Sequence, residues 1–326
     1  MTRSTPPSSP ASSIRSPTRT LGRHPYVFVY DPRPIWRALR SGAVDILDVH
    51  EEPASLAAAE LLILRRLAGR RQAKVLFYGA QNIEKRFPPP FRWIERAALK
   101  AAAGAYCCNR AAADIFRAKG FKGDVSVIGL GVDIERFAPR VGDRVDGPFR
   151  AGYVGRLEQR KGVQVVLEAL AELPATVELD LHGSGPHETE LRRIVDARGL
   201  NDRVHFHGFC DHEKLPDIYR RFDTLVVPSQ TTGTWVEQFG RVAVEAMAAG
   251  VPVIASNSGS LPEVIADAGI IVPEADVPSW AEAIRSLAES PDDARRLSVA
   301  GVSRARAFTW SAVAAEHGTL YERVVR

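Results

Sequence analysis

The chain has 326 residues, enough for two domains or one large α/β unit, and its 45% hydrophobic and 25% charged content is ordinary for a globular protein. Arg3, Arg15, Arg19 and Arg23 account for the whole net charge of +4, because the first 25 residues hold no acid; the other 39 basic residues balance 39 acidic ones, which argues against a nucleic-acid partner. Cys107, Cys108 and Cys210 form no disulfide framework and point to a reducing, cytoplasmic compartment, and no apolar run approaches the roughly 18 residues of a membrane span.

Residues 1–25, rich in Ser, Pro, Thr and Arg, read as a disordered tail, and their prolines oppose the amphipathic helix of a transit peptide. From there strand and helix alternate, which predicts parallel sheets. Strands are expected at 26–30, 45–49, 74–78, 105–108 and 125–128, with helices at 34–40, 55–67, 90–102 and 110–119. Residues 141–148, with two Gly, two Asp and a Pro, read as a linker. A second series follows, with strands at 149–154, 177–182, 204–206, 224–227, 251–255 and 270–272. Its helices fall at 162–172, 187–198, 213–222, about 240–249, 262–266 and 278–289. Residues 311–325 form a last amphipathic helix, which Ser311 can cap. The fold class is therefore α/β with two Rossmann-like domains: 26–146, 147–307 and a terminal helix over 308–326.

Three segments carry chemistry. In Gly155-Arg156-Leu157-Glu158-Gln159-Arg160-Lys161-Gly162, Arg156 and Lys161 place two cations where a strand turns into a helix N-terminus, which suits a pyrophosphate. In 228–265, Glu237 precedes a helix and Glu245 lies about five residues inside it, roughly 7–8 Å along the axis. A helix N-terminus favours anions, and a carboxylate one sugar's length away suits ribose hydroxyls. His50 follows a strand in Val49-His50-Glu51-Glu52-Pro53, at the end where open parallel sheets bind ligands.

Other patterns are weaker. Ser184 between Gly183 and Gly185 lacks the spacing of a nucleophile elbow, and the glycines suit close approach of backbone to a nucleotide. His205, His207, Cys210 and His212 lack zinc-site spacing, whereas the Gly208-Phe209 turn suits a nucleobase. Arg92, Arg96 and Lys100, and the cluster of Arg65, Arg66, Arg70, Arg71 and Lys74, would allow peripheral contact with an anionic membrane face, although solvated helix faces explain them more simply.

Glu237-Gln-Phe239-Gly240-Arg-Val-Ala-Val-Glu245, with the Gly250-Val-Pro252 stop and the turn at 258–263, resembles the E-x7-E signature of the family 4 retaining glycosyltransferases of GT-B fold. Gln238 and Arg241 depart from the usual loop. The segment at 155–162 is similar to the family element whose Arg and Lys hold a diphosphate. The resemblance implies transfer of a sugar from a UDP- or GDP-sugar to a saccharide or lipid-linked acceptor, with no cofactor and no metal. It implies donor binding by Gly155, Arg156, Lys161, Gly183, Phe239, Gly240 and Glu245, and catalytic parts for His50 and Glu237. Asn82, Lys85 and Arg86 resemble the acceptor-side segment, and the last helix should cross back to the first domain. The absence of a Gly-rich loop before Asp31 makes the first domain look truncated, so a non-catalytic nucleotide-sugar binder is the competing expectation. A glycosidase using both glutamates would need carboxyls about 5–5.5 Å apart, which the helix offset opposes.

Overall fold

The computed structural model describes residues 20–21, 24, 26–139 and 147–326. The expected tail therefore lies outside the described residues apart from Thr20, Leu21 and His24, and so does most of the linker. The chain divides into two compact units: Met1–Tyr78 with Arg86–Ala103, and Gly79–Lys85 with Gly104–Arg326.

In the first unit, β1 (Thr20–Leu21) pairs antiparallel with β2 (Val29–Tyr30), so two residues assigned to the tail belong to a ladder. The strand expected over 26–30 is short because Val27 N–H bonds back to His24 and the Tyr26 carbonyl accepts from Leu56. Helix α1 (Pro32–Arg40) starts two residues early: Asp31 accepts from Arg33 N–H, and Pro32 sits in the first turn, where its missing N–H is no loss. Helix α2 (Leu56–Leu67), capped by Ser55, connects the parallel strands β3 (Ile46–Val49) and β4 (Lys74–Gly79), and α3 (Phe91–Ala101) follows. Arg65 donates to the Ala73 carbonyl at 2.9 Å and Arg70 to that of Leu39 at 2.8 Å. Two cations of the basic cluster thus satisfy backbone acceptors.

The second unit opens with β5 (Gly104–Cys107), α4 (Arg110–Ala118) and β6 (Asp124–Val127), with β5 and β6 parallel. It continues with β7 (Phe149–Val154), α5 (Val163–Ala171), β8 (Val177–His182), α6 (Glu188–Arg198), β9 (Val204–Gly208), α7 (Leu215–Tyr219) and β10 (Thr224–Val227). Then come α8 (Arg241–Ala248), β11 (Val253–Ser256), α9 (Leu261–Ile265), β12 (Ile270–Val272), α10 (Val277–Glu289), α11 (Pro291–Ala305) and α12 (Trp310–Val325). Six strands form one parallel sheet in the order β12-β11-β10-β7-β8-β9. Chain order reverses at β7 and β10, the switch point of a doubly wound sheet. One core packs Leu167, Leu179, Leu181 and Trp280, and another packs Tyr219, Leu225, Met247 and Leu261.

Helix α11 was not expected. Ser290 caps it and Pro291 opens it, but its buried positions include Gly301 and Ala305, too small to give an apolar signal. A Cβ at Gly301 would lie 3.3 Å from that of Met247, so the small residue admits close helix packing. Thr309, not Ser311, caps α12, which bonds through Arg323 to Ser126 at 2.6 Å and pairs with Asp124 at 3.2 Å. The last helix therefore lies against β6, a strand the sequence reading gave to the first domain. Among the described residues no helix is long and apolar enough to cross a membrane.

Gly162 closes a single 3-10 turn (Gln159–Lys161) with φ +75°, and a Cβ there would stand 1.8 Å from the Pro228 carbonyl oxygen. Gly162→Ala should cost at least about 2 kcal/mol in urea unfolding, combining left-handed strain with displacement of a neighbouring backbone. An unchanged midpoint would show that the two loops can part freely.

Candidate functional site

The site grows from the switch point. At the carboxyl ends of β7 and β10 the chain leaves in opposite directions, to α5 and α8, which opens a crevice between the two loops. Two residues expected in different parts of a donor meet there: Lys161 Nζ lies 2.7 Å from Glu237 Oε2. Ser229 Oγ, just past β10, donates to the same oxygen at 2.7 Å. Glu237 is 8% exposed, so its charge is answered by an ammonium and a hydroxyl rather than by water.

The loop carrying Glu237 is tied down by its backbone. Asn82 Nδ2 donates to the Glu237 and Val236 carbonyls at 3.1 and 3.3 Å. Gln238, a departure from the family loop, donates to the Ala80 carbonyl at 2.6 Å while its own carbonyl accepts from Asn109 at 2.7 Å. Phe239 is buried edge-on against Phe308, and Gly240 at φ +77° opens α8. Asn82 thus positions the loop. Lys85 and Arg86 are exposed, and Arg86 belongs to the first unit.

Glu245, in the second turn of α8, is buried and accepts from Tyr219 Oη at 2.9 Å, with His212 Nε2 at 3.6 Å. Burial raises its pKa above the ordinary carboxylate value, and burial likewise raises that of Tyr219.

A cavity of about 440 Å³ lies beside this region, lined by Gly155, Arg156, His182, Gly183, Phe209 and Cys210 among others. Gly183 brings the loop after β8 against the loop after β7: a Cβ there would lie 1.8 Å from the Gly155 carbonyl. Arg156 is largely exposed and pairs with Glu158 at 2.9 Å. Phe209, 78% exposed after Gly208 at φ +70°, presents its ring at the rim. The histidines weighed as zinc ligands face carboxylates: His205 meets Glu178 at 3.2 Å and His207 meets Asp180 at 2.7 Å.

His50 stands in the first unit, directly after β3, exposed and 3.8 Å from Asp48. The neighbouring Asp48 carboxylate raises its pKa. Ser229 and Tyr219 were not expected in the site, and His212 was weighed only as a zinc ligand. Ser229 could have been found from its position one residue past a strand-ending Pro; Tyr219 carries no local signal.

A switch-point crevice holding a lysine–glutamate pair, beside a glycine-walled cavity, defines a doubly wound domain of the kind that binds nucleotides. Residues 135–304 match the family described as glycosyl transferases group 1, and residues 1–136 match Glycosyltransferase Family 4. The chain belongs to this glycosyltransferase family, and its fold class is GT-B. The D-inositol 3-phosphate glycosyltransferase of Corynebacterium glutamicum is 31% identical over 62% of this chain and 52% of its own. That of Mycolicibacterium smegmatis is 34% identical over 57% and 44% respectively. The chain spans about half the length of the curated relatives it matches. Among solved structures, sucrose-phosphate synthase from Thermosynechococcus elongatus aligns at TM-score 0.69 and 27% identity, covering 90% of this chain and 76% of that one. Anabaena HepE in complex with UDP aligns at TM-score 0.74 and 20% identity, covering 89% and 81%, which bears on fold alone.

The buried His182 stacks on His207 at 4.3 Å, and burial followed by the His207 charge lowers its pKa from 6.5 to about 4. A depressed histidine pKa stabilises the fold above pH 6.5, and that stability is lost as pH falls toward 4. Between pH 7 and 4.5 the wild type should lose about 2 kcal/mol more in urea unfolding than His182→Gln. Parallel losses in both proteins would mean His182 titrates normally.

Proposed function

We propose that the chain binds a UDP- or GDP-sugar in its second unit and transfers the sugar, with retention, to a saccharide or lipid-linked acceptor. The observation that carries this reading is the meeting of Lys161, Glu237 and Ser229 at the switch point, beside Arg156 and the cavity. Lys161 and Arg156 neutralise the diphosphate leaving group, supplying positive charge that a metal ion supplies in other enzymes. Glu237 orients the sugar from a loop held by Asn82 and Gln238. Glu245 accepts the ribose hydroxyls, and Phe209 gives the base a stacking surface. For His50 the support is the resemblance together with its place at the carboxyl end of a parallel strand. A donor phosphate oxygen takes the acceptor proton on the face where the bond breaks, as the resemblance implies.

Among the described residues the two glutamates share no hydrogen-bond partner, Glu237 facing Lys161 and Ser229 and Glu245 facing Tyr219, which favours separate parts over a glycosidase pair. Curated relatives are named for D-inositol 3-phosphate, so a small phosphorylated polyol belongs among the acceptors to be tried.

Calorimetry on the full chain tests the donor site. UDP or GDP should bind, and Glu245→Gln should weaken that nucleotide by about 1–3 kcal/mol, the range for hydrogen bonds to a charged group. Arg156→Ala should weaken it by about 1 kcal/mol, less because the guanidinium is exposed. Failure of both nucleotides to bind would remove the transferase reading.

A further inference from the structure

The loop from β10 to α8 contains an aromatic residue that the reading above leaves without a part. Trp235 is half-buried, and Thr232 and Trp235 bond through their backbones, with Thr232 N–H donating at 2.8 Å, so the ring is carried on a closed turn. Two cations meet that ring: Lys161 Nζ at 4.6 Å and the Arg160 guanidinium at 4.7 Å from its centroid. The Arg160 charge is answered by Glu158 at 2.6 Å, and the Arg160 carbonyl accepts from Gln230 N–H at 2.8 Å. Lys161 is answered only partly by the ring. Its ammonium also makes the 2.7 Å bond to Glu237, with the two side chains 25% and 11% exposed.

We infer that Trp235 is a positioning residue for Lys161, and that the Glu237 carboxylate competes with the donor's diphosphate for that lysine. The inference rests on the transferase reading, in which Lys161 serves phosphate and Glu237 serves sugar. The two groups are bonded to each other, so an incoming diphosphate meets a carboxylate beside the ammonium it must engage. Like charges at such range repel strongly where water is scarce. Binding therefore transfers Lys161 from Glu237 to phosphate and frees the carboxylate to accept from sugar hydroxyls. Through this exchange the Trp235 face keeps the ammonium in the crevice, since a ring quadrupole attracts a cation without dictating which anion it meets. A free nucleotide bears the cost of displacing Glu237 without the sugar contacts that offset it, so the pair favours the intact nucleotide sugar over its product.

The test is calorimetry with UDP and GDP on the full chain, comparing wild type with Glu237→Gln, Trp235→Phe and Trp235→Leu. Glu237→Gln should bind the free nucleotide roughly tenfold more tightly, because the amide no longer competes for the lysine. Trp235→Leu should bind it about fivefold more weakly, whereas Trp235→Phe, which keeps a ring face, should recover most of the affinity. If Trp235→Leu does not fold by circular dichroism, Trp235→His at pH 8 takes its place as a smaller ring against Trp235→Phe, and the affinities should rank Phe above His. Nucleotide binding that Glu237→Gln leaves unchanged or weakens would overturn the competition, because Lys161, with three donors, would then hold both anions at once. Equal affinities for Trp235→Phe and its comparison variant would overturn the positioning role. Both results would leave the transferase reading standing, whereas a wild type that binds neither UDP nor GDP would take down that reading and this inference together.

Discussion

Close contact between backbones at the carboxyl ends of the parallel strands is the constraint on which the site depends. The turn after β7 sits directly on the Pro228 carbonyl at the end of β10, and the loop after β8 sits directly on the Gly155 carbonyl. A Cβ at Gly162 or Gly183 would stand 1.8 Å from the carbonyl oxygen it faces and would force these loops apart. Without one the chain brings Lys161, from one side of the switch point, to within 2.7 Å of Glu237 from the other. The strand order then decides what the crevice can be, because loops that diverge from adjacent strands leave room for a ligand only at that point.

The second unit was more legible in the sequence than the first, and the reason is burial. Strands 149–154, 177–182, 224–227 and 270–272 match their expected bounds, because most of their positions, and all four of 224–227, lie in the core. In the first unit Tyr26–Tyr30 has the aromatic and β-branched residues of a strand, yet only Val29 and Tyr30 pair, since hydrogen bonds from the segment before them turn back or run to α2. Helix α11 escaped for a different reason. Its packing sets Gly301 against Met247 and buries Ala305, and small residues at such positions leave little hydrophobic period.

The candidate site divides along the same line. Glycines, cations and carboxylates at loop–helix junctions are local signals, and Lys161 and Glu237 were found from them. What the sequence could not say is that they bond to each other, because that follows from strand order rather than spacing. Partners brought in by the fold were equally hidden. Tyr219, 26 residues before Glu245, reads as a core aromatic until its hydroxyl is seen on a buried carboxylate. Trp235 reads as part of a polar loop until two cations are found on its ring.

The two glutamates show how one residue type takes different properties from position alone. Glu245 lies on the inner face of α8, where burial favours its neutral form and Tyr219 and His212 favour the charged one. Those opposing effects make its charge sensitive to what occupies its remaining lone pairs, which suits the part proposed for it as an acceptor from ribose hydroxyls. Glu237 lies before the helix, with its carbonyl held by Asn82 and its carboxylate held by a lysine and a serine. Its backbone carbonyl is tied down by an amide while its head group meets two side chains from other positions in the chain. A carboxylate so placed can exchange one partner for another without moving the loop that carries it, as the proposed competition for Lys161 requires.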